Sequence, residues 1–140
     1  MRVTWRAVIP LAIAVASLSG CGGPIQREEL GRGIDTLRSI AAEGSVVARG
    51  VADNRTRSTF VRVQSRALSD DADHEAEKLT DAQASPELAD KKQKAVALAK
   101  RISSALGDLR TDPGNEQNGR TVEKQLNGLA RQARDLGQSL

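Results

Sequence analysis

From Val122 onward the apolar residues Val122, Leu126, Leu129, Ala133, Leu136 and Leu140 follow one another at steps of four, three, four, three and four. That spacing puts them on one side of an α-helix, whereas no run of alternating residues marks a strand anywhere. The same rhythm appears three more times. Residues 25–52 carry Leu30, Ile34, Leu37, Ala41, Gly44, Ala48 and Val51. Residues 57–84 carry Val61, Gln64, Leu68, Ala72, Ala76 and Leu79, with Phe60 nearby. Residues 85–110 carry Leu88, Ala95, Leu98, Ala99, Ile102, Ala105, Leu106 and Leu109. A one-sided stripe has to be buried against another, so the four segments must pack together.

The breaks between the segments are short. Asp53-Asn54-Arg55-Thr56 reads as a turn with an Asx or hydroxyl side chain available to cap the next helix. Ser85-Pro86-Glu87 is a start signal, with a hydroxyl cap, proline at the first helical position and an acid in the first turn. Thr111-Asp112-Pro113-Gly114 ends the third helix. Short connections favour antiparallel neighbours, so the expected fold is an all-α, up-down-up-down four-helix bundle over residues 25–140. The alternative is a three-helix bundle with a frayed first helix. Gly31, Gly33, Gly44 and Gly50 motivate it, because glycine within a helix costs about 1 kcal/mol relative to alanine. A helix of this length spans about 40 Å, which makes the domain a rod.

The start of the chain has a different character. Arg2 and Arg6 form a basic segment without acids, residues 7–18 are apolar or small, and then come Ser19, Gly20 and the single cysteine, Cys21. This is the layout of a secretory signal peptide, and the apolar run is shorter than the roughly 18 residues a membrane-spanning helix needs. Leu18-Ser19-Gly20-Cys21 resembles the lipobox of bacterial lipoprotein precursors, and the resemblance covers residues 1–21. It implies that residues 1–20 are a signal peptide removed by signal peptidase II, with Leu18, Ser19 and Gly20 recognised at the cut. It also implies that Cys21 is acylated and holds the chain to membrane lipid, followed by a short spacer completing residues 21–24. Two acyl chains anchor stably where one does not. The expected location is the extracytoplasmic side of the bacterial plasma membrane, or the outer membrane in a cell that has two. In that geometry Cys21, the second turn and the C-terminus share the membrane-near end, and the first and third turns point away.

The whole chain has 21 Lys and Arg against 18 Asp and Glu, but Arg2 and Arg6 lie in the signal segment, and without them the balance is 19 to 18. The only aromatic residues are Trp5, also in that segment, and Phe60. Neither a basic surface nor stacking platforms support nucleic acid as a partner. No enzyme is expected, since no nucleophile has an identifiable base, no glycine-rich phosphate loop joins a strand to a helix, and His74 is the only histidine.

Asp70, Asp71, Asp73, Glu75, Glu77 and Asp81 crowd the second half of the second helix. Lys91, Lys92, Lys94, Lys100 and Arg101 follow after the turn, so folding back at Ser85 is expected to lay the two stretches together as surface ion pairs. Asp70, Asp71 and His74 share a helical face and are candidate metal ligands, although a bundle metal site draws carboxylates and histidines from several helices. No cofactor is otherwise implied. Lys91, Lys92 and Lys94 stand near the anchored end, where they are candidates for contact with anionic lipid. The functional expectation is a non-enzymatic lipoprotein of the cell envelope whose bundle serves as an interaction or structural module for an envelope protein. The alternative is a lipoprotein that binds a small apolar ligand, at the small residues Ala41, Gly44 and Ala48, or a metal ion.

Overall fold

A computed structural model describes residues 23–140. The signal segment, with Leu18, Ser19, Gly20 and Cys21, lies outside the described residues. Four helices follow in order: α1 (Arg27–Ala52), α2 (Ser58–Asp81), α3 (Pro86–Thr111) and α4 (Glu116–Gln138). Consecutive helices run antiparallel and close into one four-helix bundle, in which the first helix is complete. Helix α1 packs chiefly on α4 and α2 chiefly on α3. Helices α1 and α3 also meet across the middle, and α2 and α4 do not touch. The cross-section is therefore a rhombus with α1–α3 as its short diagonal.

The stripes form the interior. All eight inward positions expected in α3 are buried, and so are all seven in α1. Helix α4 buries Val122, Leu126, Leu129 and Ala133, with Leu136 and Leu140 partly buried against the core. Helix α2 departs most from its pattern. Gln64 is half-buried and donates to Glu43 on α1 at 2.7 Å, while Ser65, Ser69 and Glu75 lie inside instead. Phe60, expected beside the core, is 55% exposed.

Each turn has its own chemistry. Helix α1 ends with Asn54 in the left-handed region at φ 52, the Arg55 N–H donating to the Gly50 carbonyl and the Asn54 N–H to Val51, a Schellman closure. Thr56 folds over Gly50 rather than capping α2, whose N-cap, Arg57, makes no side-chain bond. Ser85 does stand at the N-cap of α3 with Pro86 behind it, but its hydroxyl makes no capping bond and the Ser85 carbonyl accepts from Leu88 and Ala89. The one side-chain cap is Asn115, which accepts from the Asn118 N–H at 3.0 Å.

Two glycines set the helix spacing. A Cβ at Gly44 would stand 2.8 Å from Leu106 Cδ2 and 3.0 Å from Leu126 Cδ1, so leucines from α3 and α4 fill the space in front of α1. A Cβ at Gly119 would stand 2.6 Å from the Ala52 nitrogen and 2.9 Å from the Ala48 oxygen, which are backbone atoms and cannot turn aside. Gly107, by contrast, has open space around it. Gly119→Ala should therefore destabilise the fold by about 1–3 kcal/mol through overpacking, whereas Gly107→Ala should stabilise it by about 1 kcal/mol through helix propensity. Urea denaturation of the two variants checks the opposite signs.

Candidate functional site

The chemistry-bearing residues of the sequence sort onto two ends and one flank of the rod. At the end nearest the start of the chain, the Ile25 N–H donates to the Gln83 carbonyl at 2.6 Å and Ile25 itself is buried, so the segment before α1 is fixed to the second turn. Arg27 reaches the Leu140 carbonyl, and Lys91 the Ser139 carbonyl. Lys92 donates to the carbonyls of Thr80 at 3.2 Å and Ala82 at 2.7 Å. A cation over the last carbonyls of α2 offsets the unfavourable meeting of the acidic run with the negative end of the helix dipole.

The expected ion pairs between α2 and α3 are not formed. Every cation–carboxylate contact within 4 Å that involves either helix stays inside it: Arg66 with Asp70, Lys78 with Glu75, and Lys94 with Asp90. Acidic side chains of α2 and the single Lys100 of α3 instead line an open groove of about 590 Å³, where Asp73, Glu77 and Asp81 stand with Lys100 beside Ala76 and Thr80. The two backbones approach closely enough for the Ser69 and Ser103 hydroxyls to bond at 2.9 Å, and apolar packing beneath holds the acid and base rows apart.

The candidate metal ligands Asp70, Asp71 and His74 are all exposed, and Asp70 points to Arg66 at 3.8 Å. Among the described residues no three His, Cys, Asp or Glu side chains are arranged to hold a metal ion. The small residues Ala41, Gly44 and Ala48 are buried, and at Gly44 the space they leave is occupied by Leu106 and Leu126.

Glu75 is the interior's anomaly. It is 7% exposed, its Oε1 accepts no hydrogen bond, and its nearest cation is Lys78 at 3.7 Å. The carboxylate fits because residue 33 is glycine: a Cβ there would stand 2.6 Å from Glu75 Oε1. The spacing could have shown this, since Glu75 stands three residues after Ala72 and four before Leu79. At the other end, Arg49 of α1 pairs with Glu123 of α4 at 2.7 Å, and that hydrogen bond, with the same carboxylate's charge, raises the arginine pKa further above its ordinary value.

The remaining surface feature is apolar. Val46 and Val63, each 65% exposed, and Phe60 are the large hydrophobic side chains left in solvent among the described residues. The Glu43–Gln64 bond sets residue 43 level with residue 64, so Val46 of α1 stands level with Phe60 of α2, in the half of the rod away from Ile25. No helix among the described residues is long and apolar enough to cross a membrane. No protein-family model, curated protein or solved structure matches the chain.

Replacing a poorly paired buried carboxylate by an apolar side chain of similar volume is neutral to stabilising. Glu75→Leu should accordingly leave the unfolding free energy unchanged or raise it by about 1 kcal/mol, with chemical denaturation as the measurement. A loss of stability would mean that the carboxylate holds α1 on α2.

Proposed function

We propose that this chain is a lipoprotein of the bacterial cell envelope, anchored through acylated Cys21, whose bundle is a non-enzymatic interaction module presented away from the membrane. The observation that carries the reading is the placement of Val46, Phe60 and Val63. Isolated exposed apolar residues are ordinary, but all three here stand in one half of α1 and α2, the half opposite the anchored end. An exposed aromatic residue is also the kind that anchors a protein interface.

The orientation follows from chain geometry. Ile25 is bonded to the second turn, and four residues of even fully extended chain span at most about 14 Å. An anchor four residues ahead of Ile25 would turn the end that carries Gln83 toward the membrane and the turns around Arg55 and Gly114 away from it. Lys91, Lys92 and Lys94 lie at the anchored end as the reading requires for anionic lipid, with Lys91 and Lys92 also holding backbone carbonyls.

Cys21→Ser should move the chain from the membrane to the soluble fraction and abolish incorporation of labelled palmitate; retention in the membrane would remove the anchor. A photo-cross-linker at Val63 in intact cells should capture an envelope protein, with capture lost on Phe60→Asp and absent from a cross-linker at Arg131 on the outer face of α4. Equal capture from both positions would count against the patch. For the lysines, flotation of the full chain with vesicles should favour phosphatidylglycerol-containing over pure phosphatidylcholine membranes, and replacing Lys91, Lys92 and Lys94 by alanine should remove the preference. No preference in the unaltered chain would end that part of the reading.

A further inference from the structure

Carboxylates line α2 in the same half of the rod as cations on both sides of α3. Lys100 faces the carboxylates of its own chain, whereas Arg101 and Lys94, the latter also paired with Asp90 at 2.7 Å, stand on the side of α4. On α2, Asp71, Asp73, Glu77 and Asp81 have no cation within 4 Å among the described residues, although all are exposed. On α3, the exposed Lys100 has no carboxylate within that distance, and Arg101 is bonded only to the neutral Gln132 of α4. Lys94 and Arg101 wall a shallow groove between α3 and α4, floored by Ala97, Leu98 and Leu136.

The two rows are level. The Ser69–Ser103 bond and the Lys92–Thr80 bond set residues 69–80 of α2 beside residues 92–103 of α3. Two rods standing side by side in the same direction, overlapping along their whole length, therefore bring the acidic row of one opposite the basic groove of the other. A copy inverted end for end could match the rows only by sliding out of that overlap. We infer that the basic α3–α4 groove docks the acidic face of α2 from a second copy of this chain, in a parallel, head-to-tail lateral contact. Such an interface uses different surfaces on its two sides and can be repeated from copy to copy. Exposed charge pairs are individually weak and screened by salt, so the contact depends on confinement of the copies in one membrane plane. For that confinement it rests on the Cys21 anchor proposed above.

Carbodiimide joins a carboxylate to a lysine amine only where the two touch. Full-length chain purified from membranes in ¹⁴N and ¹⁵N forms is mixed, placed in phosphatidylcholine vesicles and cross-linked. The expected products are mixed-isotope links from Asp71, Glu77 or Asp81 to Lys94, falling about fivefold in half-molar salt as screening shortens the reach of each charge. A chain carrying Asp71→Lys and Glu77→Lys, and another carrying Arg101→Glu and Gln132→Glu with Lys94 kept, should each lose the mixed links when present alone. Mixed together they should regain them through the one stripe left intact on each. All four positions are exposed, so neither variant threatens the fold. Same-isotope links from Glu77 to Lys100, without mixed ones, would overturn the contact, as would mixed links confined to other surfaces. Should the chain fail to enter vesicles, the anchor reading fails instead. The same two-isotope comparison on chains held by an N-terminal hexahistidine to nickel-chelating lipid vesicles, which restores the confinement without the acyl anchor, then decides the contact separately.

Discussion

Leu106 and Leu126 lie where a side chain at residue 44 would be, and the shape of the bundle depends on that occupancy. Glycine at the middle of α1 lets a leucine from α3 come across the bundle and one from α4 come in beside it. Helices α1 and α3 consequently touch along the diagonal, while α2 and α4 are pushed to opposite corners. Gly119 does the same for α1 and α4 at the far end, where backbone meets backbone without intervening side chains. In close-packed interiors such contacts leave no room for a methyl group.

The glycines that weaken α1 as an isolated helix are thus the residues that make it the best packed. Each costs about 1 kcal/mol of intrinsic propensity, and most helical stability in proteins comes from tertiary packing rather than propensity. Gly33 belongs to the same set with a different neighbour, since it accommodates the carboxylate of Glu75 rather than a leucine. A frayed α1 would leave Leu106, Leu126 and Leu79 facing solvent, so the helix is held by apolar side chains from all three of the others.

Periodicity revealed most of this arrangement and failed at identifiable places. In α3 every apolar position on the stripe is large or alanine, and the inward set could be read residue for residue. In α2 the apolar stripe is poor, so periodicity places Gln64 inward and passes over Ser65, Ser69 and Glu75, all of which are buried between Val61 and Leu79. Phe60, expected near the stripe, precedes the stripe position Val61 by one residue and so points into solvent. Gly119 escaped notice because glycine registers as a helix weakness, yet it stands three residues before Val122 and continues the α4 stripe. Asp70, Asp71 and His74 share an exposed face, but one helix brings them no facing ligands.

The charges show why interior packing and surface recognition separate in this molecule. If ion pairs between α2 and α3 had chosen the helix neighbours, the acidic and basic rows would be closed upon each other; they face across a groove instead. Apolar burial and the small residues of the seam set the distance, and a side-chain hydroxyl pair, Ser69 with Ser103, bridges it. Lys92, the one basic residue of α3 that does cross to α2, goes to carbonyls at the helix end and not to the carboxylates beside them. Neighbour choice therefore needs none of Asp71, Asp73, Glu77, Asp81, Lys100 or Arg101. Side chains that form no ion pair between helices, of opposite sign and level along the rod, are free to pair with a neighbouring molecule.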